Sequence, residues 1–96
     1  MVKINQAIMV ETIKHYGGDN QLIVANEEMA ELSQVLSKAL RKEIIDREHL
    51  VEEFADATYM LEQIKVIFKI TDDEVNDAIW EKQNRQMNRM LKEKKK

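Results

Sequence analysis

Apolar residues recur along the chain at the spacing of amphipathic helices, and this pattern predicts four of them. Helix one is expected from about Val2 to Tyr16, and Gly17-Gly18 ends it because glycine is favoured just past a helix end. Asp19 or Asn20 can cap helix two, which should reach about Lys42. Its apolar positions alternate in steps of three and four residues, the spacing of a bundle seam: Leu22, Ala25, Met29, Leu32, Leu36 and Ala39.

Two further helices are predicted in the second half of the chain. A short joint is expected from about Glu43 to Asp46, and Asp46 is the best available cap for helix three. Thr71 and Glu74 form a capping box that begins helix four, which is expected to run to the chain end. A short joint makes neighbouring helices antiparallel, so we predict an all-α bundle of about four helices around an antiparallel central pair. Helix three carries the second seam: Leu50, Phe54, Ala57, Leu61, Ile64 and Phe68.

Composition narrows the class of protein. The chain has 96 residues, which fits a single domain over residues 1–96. Two glycines and no proline are too few for the turns of a sandwich or barrel, and the absence of cysteine excludes thiol chemistry and Cys-ligated metals. The N-terminal segment lacks the apolar core of a signal peptide and no 18-residue apolar run exists, so we expect a cytoplasmic protein without a membrane segment.

Charge is unevenly distributed along the chain. The net charge is −3, but residues 92–96 hold four lysines and form a Lys-rich tail that is expected to fray. The remaining residues contain 11 basic and 17 acidic side chains, and this surplus of negative charge argues against stable nucleic-acid binding. A chain of this length buries only about two-thirds of its unfolded surface, so a second copy is expected to complete the core.

Two acidic clusters border the predicted seams. Glu28 and Glu31 lie three residues apart in helix two, and Glu53 and Asp56 have the same spacing in helix three. Like charges at this spacing destabilise a helix unless something neutralises them. In an antiparallel pair the two clusters lie at similar heights, where facing carboxylates must share protons or bind a cation. Oxygen ligands favour Mg²⁺, with Mn²⁺ as a substitute, and the alternative is ordinary solvated helix surface.

The two clusters resemble a family motif. MazG-like members of the all-α nucleoside triphosphate pyrophosphohydrolase superfamily carry E-x-x-E, a spacer, and E-x-x-D. Here the motif stands as Glu28-Met29-Ala30-Glu31 and Glu53-Phe54-Ala55-Asp56, separated by residues 32–52. The resemblance covers about residues 20–90 and is in the style of small, phage-type members.

The resemblance implies a fold and an activity. Members are helical bundles that form dimers or dimers of dimers and use Mg²⁺ to hydrolyse a nucleoside triphosphate between its α and β phosphates. Carried over, the metal ligands would be Glu28, Glu31, Glu53 and Asp56. The last helix of small members carries K-x-x-R-x-x-x-R, which Lys82, Arg85 and Arg89 match as candidate phosphate-binding residues; a surface helix with basic residues near its C-terminus is the alternative.

The chemistry of phosphate hydrolysis suggests candidates for the general base and for a further phosphate ligand. Hydrolysis at phosphorus requires positioning and charge neutralisation, together with a base for the attacking water, for which Glu27, Glu28 and Glu31 are the candidates. Lys38 lies beyond Glu31 in the same helix and is either a phosphate ligand or a surface lysine. Two alternatives to an enzyme stay open: a non-catalytic helical interaction or regulatory dimer, and a nucleotide-binding protein without activity.

Overall fold

Four helices account for most of the chain. The computed structural model describes residues 2–95, and within them it contains no β-strand. The all-α class predicted from the sequence is therefore confirmed at the level of helix content. The helices are α1 (Gln6–Tyr16), α2 (Gly18–Leu40), α3 (Arg47–Phe68) and α4 (Asp72–Lys94).

The starts of α1 and α2 differ from the sequence prediction. Helix α1 begins at Gln6 and not at Val2, because the Asn5 side chain accepts a hydrogen bond from the Ile8 backbone N–H at 3.0 Å. Neither Asp19 nor Asn20 caps α2. Gly17 takes a positive φ of 91°, which favours glycine and lets the new helix begin at the next residue.

The joint between α2 and α3 is slightly longer than predicted. Helix α2 was expected to reach Lys42 but ends at Leu40. Lys42 lies outside the helix, with a positive φ of 62°. Asp46 caps α3 as predicted, since its carboxylate accepts a hydrogen bond from the Glu48 backbone N–H at 3.0 Å.

Helices α2 and α3 form the most extensive helix pair, and α1 packs against both of them. The pair is antiparallel, because Gln21 near the start of α2 meets Gln63 near the end of α3. The two amides are buried and hydrogen-bonded at 2.7 Å. The apolar core of the described residues is small and consists of Met9, Ala25, Val35, Ala57 and Met60.

The predicted seams are only partly buried, and this is a correction to the sequence analysis. Ala25 and Ala57 lie in the core as expected, but Leu36, Phe54 and Leu61 are more than half exposed. The reason is that α2 and α3 meet through a neighbouring face that includes buried polar side chains. Phe54 and Leu61 of the α3 seam consequently face outward, while Ala57 of the same seam faces α2.

Helix α4 is set apart from the other three. It begins with the predicted capping box, in which Thr71 and Glu74 exchange side-chain and backbone hydrogen bonds. Lys65 of α3 forms an ion pair with Asp72 in the first turn. Beyond this attachment α4 packs against none of α1–α3 and has no buried residue.

Helix α4 continues through the Lys-rich segment as far as Lys94, and Lys96, at the predicted helix end, lies outside the described residues. Across residues 2–95, none of the helices combines the length and the apolar character needed to span a membrane.

Candidate metal centre

Three carboxylates from α2 and α3 meet near the middle of the helix pair. Glu28, Glu53 and Asp56 each offer one oxygen atom that lies within 4.8 Å of the oxygens offered by the other two. We call these three residues the carboxylate cluster. They converge because the helices are antiparallel, which sets Glu28 of α2 beside Glu53 and Asp56 of α3.

The carboxylate cluster runs from the protein interior to its surface. Glu53 is buried, with 8% of its surface exposed, Glu28 is partly buried and Asp56 is exposed. One buried oxygen of Glu28 and one of Glu53 have no hydrogen-bond partner among the described residues. A buried polar atom without a partner costs on the order of 1–3 kcal/mol, and more when the group is charged. The cluster is therefore unfavourable unless protons or a cation neutralise it.

Burial and mutual repulsion raise the pKa of two of these groups. Burial, followed by the negative charges of Asp56 and Glu31, raises the pKa of Glu28 from 4.5 to about 7. Burial also raises the pKa of Glu53, and the neighbouring Glu31 raises it further. The charge of His49 acts in the opposite direction and lowers this pKa. Near neutral pH and without a cation, the cluster retains part of its protons.

A shallow cleft of about 350 Å³ opens beside the cluster. Glu31, Lys38, His49 and Glu53 line it together with Gln34 and Val35. Glu31 and Lys38 are both exposed. The structure thus brings Lys38 into the same cleft as Glu31 and Glu53, while Glu31 lies outside the group of three oxygens that meet.

Sequence reasoning did not identify His49 as part of this site. Its ring Nδ1 lies 3.9 Å from a carboxylate oxygen of Glu53, one helical turn away. The i, i+4 spacing of a histidine and a glutamate was the available signal, because residues so spaced are neighbours on a helix surface.

The basic residues of α4 are not brought to this site within one chain. Lys82, Arg85 and Arg89 are exposed, and no Cα atom of α4 lies within 8 Å of a Cα atom of the helices that carry the carboxylates. They do share one helix face, as their spacing requires. Their predicted role at a phosphate stays a prediction.

The donor set suits a hard divalent cation. The three carboxylates provide negative charge and oxygen ligands, which Mg²⁺ and Mn²⁺ prefer, and two of them, Glu28 and Glu53, have a buried oxygen without a partner among the described residues. The cluster opens to solvent at Asp56, so an ion can keep water ligands there.

Comparison with known protein families, with curated proteins and with solved structures finds no match to this chain.

Proposed function

We propose that this chain is a Mg²⁺-dependent nucleotide pyrophosphohydrolase of the MazG-like kind. The observation that carries the proposal is the carboxylate cluster, in which buried oxygens of Glu28 and Glu53 lack partners. The cluster brings together three of the four acidic residues of the E-x-x-E and E-x-x-D motifs, although residues 32–52 separate the two motifs in the sequence. The proposed reaction converts a nucleoside or deoxynucleoside triphosphate and water to the monophosphate and pyrophosphate.

Glu28, Glu53 and Asp56 would hold the metal through their carboxylate oxygens. Bound there, Mg²⁺ would neutralise phosphate charge and lower the pKa of a coordinated water. The partly buried position of Glu28 and the buried position of Glu53 favour a fixed ligand geometry, since neither side chain can turn freely into solvent.

Glu31 is suited to accept the proton of the attacking water. Its oxygens lie outside the group of three, and it lines the cleft beside Glu53. As the water oxygen bonds to phosphorus, the bond to the bridging oxygen breaks and pyrophosphate leaves with its electron pair. A carboxylate within hydrogen-bonding reach of the water can take the released proton, typically accelerating such a step by about 10²–10⁴-fold.

Basic side chains in the cleft and on α4 support phosphate binding. Lys38 lies in the cleft and can pair with a phosphate oxygen there. Lys82, Arg85 and Arg89 provide a second basic surface on α4, and guanidinium groups bind phosphates through two parallel hydrogen bonds.

An assay of pyrophosphate release across the common NTPs and dNTPs tests the proposal. We expect at least one nucleotide to be turned over with Mg²⁺, and turnover to stop when a chelator removes the metal. Monophosphate should appear in equal amounts, because the cleaved bond joins the α and β phosphates.

The absence of turnover with every nucleotide, with Mn²⁺ as well as Mg²⁺, would contradict an enzymatic role. A thermal melt with and without Mg²⁺ then separates the two alternatives. A nucleotide-binding protein without activity is stabilised by Mg²⁺ and nucleotide together, whereas a purely structural dimer is stabilised by neither.

A further inference from the structure

Helix α4 extends away from α1–α3 and is attached through its first turn, where Lys65 pairs with Asp72. None of its 23 residues is buried. Isolated helices of this length are marginal in water, and most helical stability in proteins comes from packing an apolar face. We call this helix the α4 arm.

The α4 arm carries an apolar face along most of its length. Trp80, Met87 and Leu91 follow one another at intervals of seven and four residues, which places them on one side of the helix. Their side chains are between 49% and 67% exposed. We call these three residues the arm stripe. A stripe of this kind normally packs against another helix.

An apolar face with the same intervals in reverse order lies on α3. Leu61 and Phe54 are seven residues apart, and Phe54 and Leu50 are four apart. Phe54 and Leu61 are more than half exposed and Leu50 is half-buried. We call these three residues the α3 stripe. Reversed intervals are what two antiparallel helices need if their apolar residues are to meet in pairs.

The connection between α3 and the arm has the length of a helix hairpin. It consists of Lys69, Ile70 and Thr71, and antiparallel helices are commonly joined by two to five residues. Lys69 has a positive φ of 56°, so α3 has already ended there. A few loop residues can redirect a helix by changing their backbone angles, while the hydrogen bonds inside the helix stay intact.

Distances along the chain from this connection match on its two sides. Leu61 lies nine residues before Ile70, and Trp80 lies ten after it. Phe54 and Met87 lie 16 before and 17 after. For the third pair, Leu50 and Leu91, the numbers are 20 and 21. Because both helices rise by 1.5 Å per residue, each pair stands at one height when the arm lies antiparallel to α3.

We infer that the α4 arm folds back on α3 of its own chain and closes a helix hairpin, in which the arm stripe packs on the α3 stripe. The extended arm is then the open state of a hinge at residues 69–71. Closure pairs Trp80 with Leu61 and Met87 with Phe54, so that two exposed apolar surfaces cover each other.

The shape of the open state agrees with a hinge. Its radius of gyration is 17.0 Å, whereas a compact domain of this length has about 12–13 Å. The first turn of the arm already lies on α3 through Lys65 and Asp72, so only the direction of the helix beyond this turn has to change.

The basic residues of the arm stay in water when it closes. They lie on the side of the helix opposite the arm stripe, so the apolar contact leaves them on the outer surface: Lys82, Arg85, Arg89 and Lys92. Glu53 and Asp56 are about 100° and 160° round α3 from Phe54, so the closed arm does not cover the carboxylate cluster. The inference is therefore independent of the proposed hydrolysis.

Disulfide trapping tests the inference, because the chain has no cysteine of its own. In Phe54→Cys/Met87→Cys the two thiols face each other in the closed hairpin, and a disulfide requires Cα atoms within about 7 Å. No Cα atom of the arm lies within 8 Å of Phe54 in the open state. We expect rapid oxidation to a cross-linked single chain of 11.3 kDa on a denaturing gel.

Phe54→Cys/Asn88→Cys is the matched control. It closes a loop of nearly the same length, but Asn88 lies about 120° round the arm from the middle of the arm stripe. Its disulfide should form at least tenfold more slowly. Equal rates for the two variants would overturn the inference, as would a failure of both to oxidise or a disulfide that joins two chains.

Trp80 provides a second readout without cysteines, because it is the only tryptophan in the chain. Closure places its ring against Leu61, so the emission of the wild type should lie at shorter wavelength than that of tryptophan in water. Leu61→Asp should shift the emission to longer wavelength. Ala30→Asp adds the same charge at an exposed position outside both stripes and should not.

Met87→Asp tests the same contact from the arm and protects the experiment against a loss of fold in Leu61→Asp. The arm does not contact α1–α3 beyond its first turn in the open state, so circular dichroism should show that these helices remain. Its emission should equal that of Leu61→Asp. A wild type that already emits like tryptophan in water would overturn the inference, and so would an emission that neither variant changes.

Discussion

The α2–α3 pair and the α4 arm leave opposite kinds of surface unsatisfied. The pair buries carboxylate oxygens of Glu28 and Glu53 without partners, whereas the arm exposes an apolar stripe around Trp80 and Met87. A buried charge is neutralised by a proton or a cation, and an exposed apolar stripe is covered by another apolar surface. We therefore expect the first region to bind an ion and the second to pack against another apolar surface.

The two regions also differ in what a substitution should change. Variants in the carboxylate cluster should alter metal binding and turnover without altering the emission of Trp80. Variants on the apolar stripes should alter that emission first.

The largest effect is expected from Glu53→Gln. Removing this buried carboxylate should lower Mg²⁺-dependent pyrophosphate release by about 100-fold or more, because a fixed metal ligand is lost together with its charge. The stabilisation of the protein by Mg²⁺ in a thermal melt should disappear as well.

Glu52→Gln is the matched control for this experiment. Glu52 precedes Glu53 in the chain and is exposed, so the same change of charge should leave both readouts nearly unaltered. Equal losses from the two variants would show that net charge, and not the carboxylate cluster, governs the response to Mg²⁺.

A smaller effect is expected from Arg85→Ala on the α4 arm. If Arg85 binds a phosphate, the KM for the nucleotide should rise by about tenfold, since a hydrogen bond to a charged group contributes about 1.5–3 kcal/mol. The stabilisation by Mg²⁺ alone should not change, because α4 does not approach the carboxylate cluster of its own chain. Steady-state kinetics over a range of nucleotide concentrations measure this difference.

Lys94→Ala removes the same charge from the same helix at a position nine residues away, on the opposite face. It should leave the KM unchanged. A fall in kcat with an unaltered KM in Arg85→Ala would contradict a role in binding the substrate.

The smallest effect concerns the pH dependence of stability without metal. The Glu28 carboxyl has a pKa of about 7 in the folded chain against 4.5 as its ordinary value, so the folded state holds more protons between these values. The free energy of unfolding should therefore fall as pH rises from about 4.5 to 7, and level off above that. Thermal melts in chelator at a series of pH values measure this decline.

Glu28→Gln should flatten the curve, while Glu27→Gln, at an exposed position next to it, should not. Mg²⁺ should restore most stability at the alkaline end, where the carboxylates are ionised and bind the ion. Parallel curves for wild type and Glu28→Gln would contradict the assigned pKa.

The sequence predicted those features that depend on local chemistry. The Asp46 cap and the capping box at Thr71 were found because each depends on hydrogen bonds within one helical turn. The start of α2 was missed because the positive φ of Gly17 replaced a side-chain cap. Antiparallel pairing was predicted from the short joint, and it accounts for the approach of Glu28 to Glu53 and Asp56.

Features that depend on rotation of a helix about its own axis were harder to predict. Phe54 and Leu61 follow the same apolar periodicity as Ala57, yet only Ala57 is buried in the single chain. Periodicity identifies an apolar face but does not say whether the chain or a partner covers it. The buried position of Gln63 gave no signal in the sequence, because its partner, Gln21, is 42 residues away.

The hydrogen bond between the buried side chains of Gln21 and Gln63 also affects how precisely the carboxylate cluster is positioned. Apolar contacts tolerate sliding of one helix along another, but a hydrogen bond between two enclosed amides exists at a single offset of α2 against α3. A slip of one turn would leave both amides without partners and would move Glu28 about 5 Å past Asp56. The spacing of the acidic groups is therefore held by a neutral contact that takes no part in the chemistry.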